Sequence, residues 1–377
     1  MARIITSLGL MSGTSMDGVD ISLIKSDGRN IFEAIDDAYY EYPKKLHSNL
    51  SQLRDVINES EDIKKNLKNL KNLEREITIF HAKVIKNFTK LKKIKIDVVG
   101  FHGQTMYHSP DERITYQIGD PYLLSQLIKK KVIFNFRKND IKNGGDGAPL
   151  TPIFHKLLTN KYKIINTPNN KYDKIIFLNI GGISNLTILN KNLSLSSWDC
   201  GPGMCLIDRY LRLNSKYRFD KDGKLAEKGF INKYILSEMS NHMDNILNNL
   251  NKRSLDVNDF DLNMIRGLKF NDAIATLTEL TAITTTNQIN KISQKKKLIL
   301  LCGGGRKNKI LKNRIQNLLH KKNVLKYVDD YSINGDHVES QAFAYLSIRS
   351  ILKLPISFPK TTGCRKPSIG GEQIVNY

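Results

Sequence analysis

The sequence is expected to fold as an α/β protein of two similarly designed units, on three observations. An apolar run that breaks into a small-residue turn and resumes as a second apolar run occurs twice, around residues 8–20 and again at 174–189. A third apolar run, Lys297 to Leu301, flows into Gly303-Gly304-Gly305 ahead of a helical segment. A chain of 377 residues is also long for one hydrophobic core, and its 40% hydrophobic content is enough for two.

Leu8 to Asp20 reads as strand, turn, strand. Its glycines admit close backbone approach and Ser12, Thr14 and Ser15 offer hydroxyls, a combination suited to a phosphate chain. Asp17 and Asp20 are placed to hold Mg²⁺ directly or through water, because this ion takes a few carboxylates with waters and phosphate oxygens. The lysine and immediate helix of a P-loop are missing. An ordinary Gly/Ser/Asp hairpin turn is the competing reading.

Ile21 to Lys25 and Ile31 to Tyr40 complete an antiparallel meander turned at Asp27-Gly28. From Pro43 to about Lys92 apolar residues recur at spacings near three and four, predicting a short helix and then one long core-facing helix. The strand Ile96 to Phe101 delivers His102-Gly103-Gln104-Thr105 at its carboxyl end, where open α/β sheets bind ligands. Strands are expected at Ile114 to Gly119 and Val132 to Phe136, with a helix from about Pro121 to Lys130 between them. Arg137 can clamp an anion in bidentate fashion or pair with Asp140. The cluster Gly144-Gly145-Asp146-Gly147 is expected to be a hinge, with Pro149 in the first turn of the next helix.

The second half repeats the opening: strand Lys174 to Asn179, the turn Gly181-Gly182-Ile183-Ser184-Asn185, and strand Leu186 to Leu189. Asp199 ends another strand beside Gly201 and Gly203, where a carboxylate can be a general base, a Mg²⁺ ligand or a helix-capping acid. Short helices and loops are expected over residues 214–260 and a threonine-rich helix over Phe270 to Ile289. The Gly303-Gly304-Gly305 turn can seat a nucleoside against bare backbone. Glu339 opens the amphipathic helix that runs to about Leu352, and the tail from Pro359 to Val375 carries one more strand-like run.

The formal charge of +22 comes from 59 basic and 37 acidic residues. The excess is scattered lysine, and the dense runs Lys90–Lys95 and Lys295–Lys297 lack the interleaved aromatics of single-strand binders, so no nucleic-acid partner is expected. Four cysteines without a CxxC pair point away from zinc and disulfides and towards a reducing cytoplasm. No apolar stretch approaches the ~20 residues that span a bilayer, so no membrane partner is expected either.

Two strand–hairpin units, a strand–Gly-Gly-Gly–helix and a hinge describe the two-lobed actin-like ATPase (ribonuclease H-like) plan with a central cleft. Within it the chain resembles the anhydro-N-acetylmuramic acid kinase family. The resemblance runs through Gly9–Asp20, His102–Thr105, Gly144–Leu150, Asn179–Asn185, Asp199–Gly203, Cys302–Gly305 and Val338–Ala344. It implies an ATP- and Mg²⁺-dependent enzyme that opens the internal ether of 1,6-anhydro-N-acetylmuramic acid with water and phosphorylates O6, in cell-wall recycling. A homodimer is also implied. Asp199 matches the family's catalytic base. Gly13, Thr14, Ser15, Met16, Asp17, Gly18, Val19 and Asp20, with Gly181, Gly182, Gly303 and Gly304, would hold the nucleotide, and Asp17 and Asp20 its metal. Gln104, Thr105, Arg137 and Glu339 would hold the amino sugar and its lactyl carboxylate. Met204 and Asp146 depart from the Asn and Gln usual in the family. A non-catalytic nucleotide-binding protein of the same fold is the alternative, distinguished by whether product forms. The expected division is an N-terminal lobe over 1–140, a C-terminal lobe over 141–355 and a tail over 356–377.

Overall fold

Alternation along the first strand decides the architecture of the N-terminal half. In β1 (Ile5–Met11) every residue is buried, with Leu8 and Leu10 on one face and Ser7 and Gly9 on the other. Such a strand needs cover on both sides. The computed structural model, which describes residues 3–90, 92, 94–164, 172–249 and 254–377, shows what supplies it. After β1 come β2 (Gly18–Ser26), β3 (Phe32–Glu41), α1 (Lys44–Val56), α2 (Ser60–Lys65), α3 (Leu67–Thr89), β4 (Val98–Phe101), β5 (Gln104–Ser109), β6 (Ile114–Ile118), α4 (Pro121–Ile128), β7 (Lys131–Phe134), α5 (Lys138–Lys142) and α6 (Pro152–Lys161). The chain continues through β8 (Lys174–Ile180), β9 (Ile183–Asn190), β10 (Leu195–Pro202), α7 (Cys205–Asn214), α8 (Lys224–Glu227), α9 (Lys233–Asn249), α10 (Phe270–Lys291), β11 (Lys297–Cys302), α11 (Lys309–Leu318) and β12 (Val324–Tyr327). It closes with α12 (Val338–Ile351), α13 (Pro359–Thr362) and β13 (Glu372–Ile374).

Two compact units result, one of Met1–Lys163 with His337–Tyr377 and one of Ile164–Asp336. The first unit's main sheet has the order β13-β7-β4-β1-β2-β3 and the second unit's β10-β9-β8-β11-β12. In each, an antiparallel three-strand meander leads into two parallel strands, β4 and β7 in one and β11 and β12 in the other. This 3-2-1-4-5 order, present twice, is the ribonuclease H-like arrangement of actin-like ATPases.

In the first unit α1 and α3 cover the Leu8/Leu10 face in a core with Val19, Ile21, Val99 and Phe101. Helix α12 covers the other face at unusually short range. A Cβ on Gly9 would lie 1.9 Å from Ser340 O, and one on Gly100, its register partner, 2.4 Å from Phe343 O. Hydroxyl pairs fix the helix along the strands: Ser7 Oγ to Ser347 Oγ at 2.8 Å and Ser22 Oγ to Ser340 Oγ at 2.7 Å.

Several expectations are corrected. The units divide at 163/164 and 336/337 rather than at 140/141 and 355/356, because α5 and α6 stay in the first unit and α12 returns to it. The Gly144–Gly147 cluster therefore lies inside a unit and is not where the two meet in sequence. There Gly145 N bonds Asp140 O, and Asp146 N bonds Thr362 O. The stretch from 43 to 92 forms three helices, because Glu59 and Asp62 make a capping box that interrupts the pattern. Of the basic run Lys90–Lys95, residues 91 and 93 lie outside the described residues. Pro152, not Pro149, takes the first helical position of α6. Residues 214–260 include a 17-residue helix, α9, and the tail adds β13 to the edge of the first sheet beside β7.

Two outcomes follow from this packing. Gly9→Ala is expected to cost about 1–3 kcal/mol through forced displacement of α12, read as a lower urea midpoint. Gly304→Ala, whose Cβ meets nothing within 4 Å, leaves that midpoint unchanged. Burial depresses two histidines, His81 to about 4 and His155 to about 3. Each binds fewer protons folded than unfolded, so the stability it confers is complete above pH 6.5 and falls as pH drops towards 4. Urea midpoints at pH 7, 6, 5 and 4.5 should decline in that order, on the order of 3 kcal/mol per histidine at the limit.

Candidate functional site

In the first unit the turn between β1 and β2 is held from beneath by buried polar groups. Ser12 Oγ lies 2.9 Å from Gly18 O, 2.7 Å from Gln104 Oε1 and 2.9 Å from Tyr42 Oη. One hydroxyl has one proton, so Ser12 donates to one of the two carbonyl-type acceptors while Tyr42 can donate to it. Gln104 Nε2 in turn donates to Gly13 O at 3.1 Å. Gln104 is fully buried, so its amide ties β5 to the hairpin. Thr14 and Ser15 stand exposed at the tip, Met16 is tucked inward at φ 57°, and Val19 is core.

The two acids are not brought into one donor set. Asp17 Oδ1 faces His47 Nε2 of α1 at 3.5 Å, and Asp20 Oδ1 faces His337 Nδ1, before α12, at 3.6 Å. Those helices cover opposite faces of the sheet. No cluster of three or more metal-ligating side chains occurs among the described residues. The arrangement fits an ion held by one carboxylate, waters and phosphate oxygens, the usual situation of Mg²⁺. It does not fit a protein-built cage.

Arg137 is aimed by a histidine. Nδ1 of His102 lies 2.8 Å from Gly103 O, so that nitrogen carries the proton and Nε2 is left to accept. Arg137 donates to it from Nη2 at 2.9 Å and from Nε at 3.3 Å, and from Nη1 to Gly147 O at 3.0 Å. Burial, reinforced by the Arg137 charge, pushes His102 well below the usual histidine value, so it stays neutral. Asp140 bonds Gly147 N at 2.8 Å and Thr362 Oγ1 at 2.7 Å, so Gly147 links Asp140 to Arg137. Glu339, half-buried in the first turn of α12, is raised by burial, against the pull of the Arg137 charge. Thr105 lies at the start of β5, where its hydroxyl accepts from Gln117.

In the second unit the turn between β8 and β9 is docked onto the start of α7. Gly203 N and Cys205 N donate to Gly182 O at 2.9 and 3.0 Å, and Met204 N to Gly181 O at 2.9 Å. A Cβ on Gly203 would strike Gly181 O at 2.3 Å and one on Gly201 would strike Thr284 Cγ2 at 2.5 Å. Packing accounts for both glycines. Asp199 does not cap α7, whose N-cap is Met204; its Oδ2 accepts from Leu255 N at 2.8 Å. Across the sheet Asp199 is in register with Asn185, and Asn185 with Asn179, so three polar side chains share one face. Asn185 Oδ1 and Ser184 Oγ are buried with no hydrogen-bond partner among the described residues. Met204, the apolar departure, packs in the core.

Gly303 is required by the fold, with φ 78° and Asn179 Oδ1 2.4 Å from its would-be Cβ. Arg306 clamps the turn through Asp329 at 2.9 Å and Asp336 at 2.7 Å. Burial opposes the Asp336 charge, but hydrogen bonds from Arg306 and Lys307 prevail and hold its carboxyl at about 2. By contrast Gly304 has nothing within 4 Å, Gly13 nothing nearer than 3.9 Å and Gly181 nothing nearer than 3.5 Å. Protein packing does not explain glycine at these three positions.

Sequence reasoning placed Gln104 as a ligand contact and did not assign His102, His47 or His337. A helix position alone does not say which carboxylate a histidine will face. No described helix is long and apolar enough to cross a membrane.

The Gln104 tie is open to test. Gln104→Leu leaves Ser12 and Gly13 O with fewer partners, and about 1–3 kcal/mol of stability should be lost. Amide exchange should quicken at Gly13–Met16 while β8 and β9 keep their protection.

Comparison with known proteins places these features in a lineage. The profile of the family described as "Anhydro-N-acetylmuramic acid kinase" matches residues 5–375. A Pelagibacter ubique protein of that name is 49% identical over 384 residues, covering 100% of both chains. Relatives of the same name from Agrobacterium fabrum and Brucella canis are 34% and 35% identical, covering 98% and 97% of this chain and 99% and 97% of their own.

Proposed function

We propose, since the chain belongs to the anhydro-N-acetylmuramic acid kinase family, that it converts 1,6-anhydro-N-acetylmuramic acid, ATP and water into N-acetylmuramic acid 6-phosphate and ADP. The observation that carries the reading is that Gly13, Gly181 and Gly304, on the turns that follow β1, β8 and β11, have no protein atom nearer than 3.5 Å to a would-be Cβ. Bare backbone at such turns suits phosphates and a nucleoside.

The chemistry divides between the units by residue type. Asp199 takes a proton from water as its oxygen attacks C1. The C1–O6 bond breaks, and O6 takes the γ-phosphoryl group as ADP leaves. Leu255 N donates to Asp199 Oδ2 and so orients the carboxylate. The unpartnered Asn185 Oδ1, in register with Asp199 on the neighbouring strand, suits an ordered water or a substrate hydroxyl. Arg137, fixed by the neutral His102, pairs with the lactyl carboxylate, and Glu339 and Thr105 accept or donate to the sugar. Thr14 and Ser15, with the backbone from Gly13 to Gly18, hold phosphate oxygens. Asp17, partly exposed beside the tip of the loop, would be the carboxylate that holds Mg²⁺, which would supply charge neutralisation for the transferring phosphoryl group.

The test incubates the protein with ATP, Mg²⁺ and the anhydro sugar, and measures the 6-phosphate and ADP. Equal amounts of both are expected, and ATP binding without either product would overturn the reading. Asp199→Asn should retain ATP affinity and lose about 10²–10⁴-fold or more in turnover. Gly304→Ala, neutral for stability, should weaken ATP binding.

A further inference from the structure

At the opposite end of β2 from the Ser12–Asp17 turn lies a recess of 220 Å³ that the proposed reaction does not use. It is formed by the β2–β3 turn (Arg29, Asn30), one face of α6 (including Lys156 and Asn160) and Tyr345 and Arg349 of α12. Those α6 and α12 positions recur at helical spacing, so each helix presents one face to it. β2 is nine residues long, which puts the recess roughly 30 Å from the hairpin tip.

Its lining carries three cations and no acid. Arg349 is more than nine-tenths buried and rigidly held: Nε donates to Pro355 O at 2.8 Å and Nη1 to Gly28 O at 2.7 Å. Its Nη2 donates no hydrogen bond among the described residues. Tyr345 Oη donates to Gly28 O at 3.0 Å, fixing the ring at the recess wall. Neither Arg29 nor Lys156 makes a side-chain ion pair among the described residues, and α6 contains no acid. Asp27, at the start of the β2–β3 turn, has Oδ1 engaged by the N–H groups of Arg29, Asn30 and Ile31 at 2.8–2.9 Å, which offsets its charge locally. Three like charges converging on one hollow repel one another, and an anion removes that penalty.

We propose that this recess is a binding site for a phosphate monoester of a small organic molecule, separate from the nucleotide and sugar sites. The phosphate dianion lies against the Arg349 guanidinium with Arg29 and Lys156 closing around it, a charge-assisted arrangement. The volume exceeds the ~30 Å³ of a water molecule several-fold, so there is room for more than a bare phosphate. Ile153, Leu157 and the Tyr345 ring give the carbon body an apolar wall, and Asn30 and Asn160 offer amides to its hydroxyls. The ligand reaches the rest of the unit through α12, the helix that also carries Glu339.

The probes are glucose 6-phosphate, inorganic phosphate and glucose, titrated calorimetrically into the full-length protein at low salt, with amide exchange locating the effect. Glucose 6-phosphate should bind at least about tenfold more tightly than inorganic phosphate, with glucose silent, and should protect residues 26–31 and 152–160. Arg29→Ala with Lys156→Ala, two side chains without an ion pair among the described residues, should abolish that binding and leave the urea midpoint and the proposed kinase turnover unaltered. Protection confined to residues 12–20 or 179–185 would place the anion in the nucleotide site and overturn the proposal. Equal affinity for the two phosphates, no binding, or binding that survives the double substitution overturns it as well.

Discussion

The first unit depends on one steric constraint: a helix lying so close to a sheet that two strand positions beneath it have no room for a Cβ. Gly9 and Gly100, neighbours in register on β1 and β4, remove the Cβ atoms that would hold α12 away. At that range the usual apolar interlayer is replaced by hydroxyl pairs, Ser7 with Ser347 and Ser22 with Ser340, which fix both the height and the axial position of the helix. Everything carried by α12 inherits this precision. Its N-cap residue His337 is brought to Asp20 and Glu339 of its first turn within electrostatic reach of Arg137, while Phe343 packs against His102 with ring centroids 4.6 Å apart.

A second layer of order comes from side chains that look like ligand contacts and are spent on the protein itself. Gln104, Asp140 and His102 each satisfy backbone or side-chain groups of neighbouring segments, and so hold the Gly13 turn, the Gly147 loop and Arg137. Holding the groups that touch a substrate by a buried hydrogen-bonded shell is how a site keeps its geometry without help from the ligand. The same economy appears in the second unit, where Gly181 O and Gly182 O accept the first N–H groups around α7, while Asp199, inside β10, accepts from Leu255 N.

Much of this was legible in the sequence, for local reasons. Both hairpins, the Gly303 turn, the meander and most strands announce themselves through turn residues and apolar runs a few residues long. The family was legible because several such motifs occur in one order, and the profile match over residues 5–375 agrees with it. What could not be read was long-range. Nothing in the order of residues says that 337–377 returns to the first unit, that Gly203 is small because Gly181 O lies above it, or that Asp17 and Asp20 face different histidines on opposite sides of one sheet. Glycine is ambiguous in a sequence because packing and ligand approach ask for the same missing atom, and only coordinates separate Gly201 and Gly203 from Gly13, Gly181 and Gly304.

The discontinuous first unit has a consequence for biogenesis. A ribosome releases β1 to β7 early, yet the helix that covers one face of β1 and β4 is encoded after all of the second unit. Until α12 emerges, Ser7, Gly9, Ser22 and Gly100 form an uncovered face with bare backbone at its centre. The second unit, contiguous over Ile164–Asp336, has all its strands available before that moment. Nascent chains therefore complete the later-encoded unit first, and the earlier-encoded one waits for its last forty or so residues, an interval in which an open sheet face invites chaperone capture or pairing with another chain.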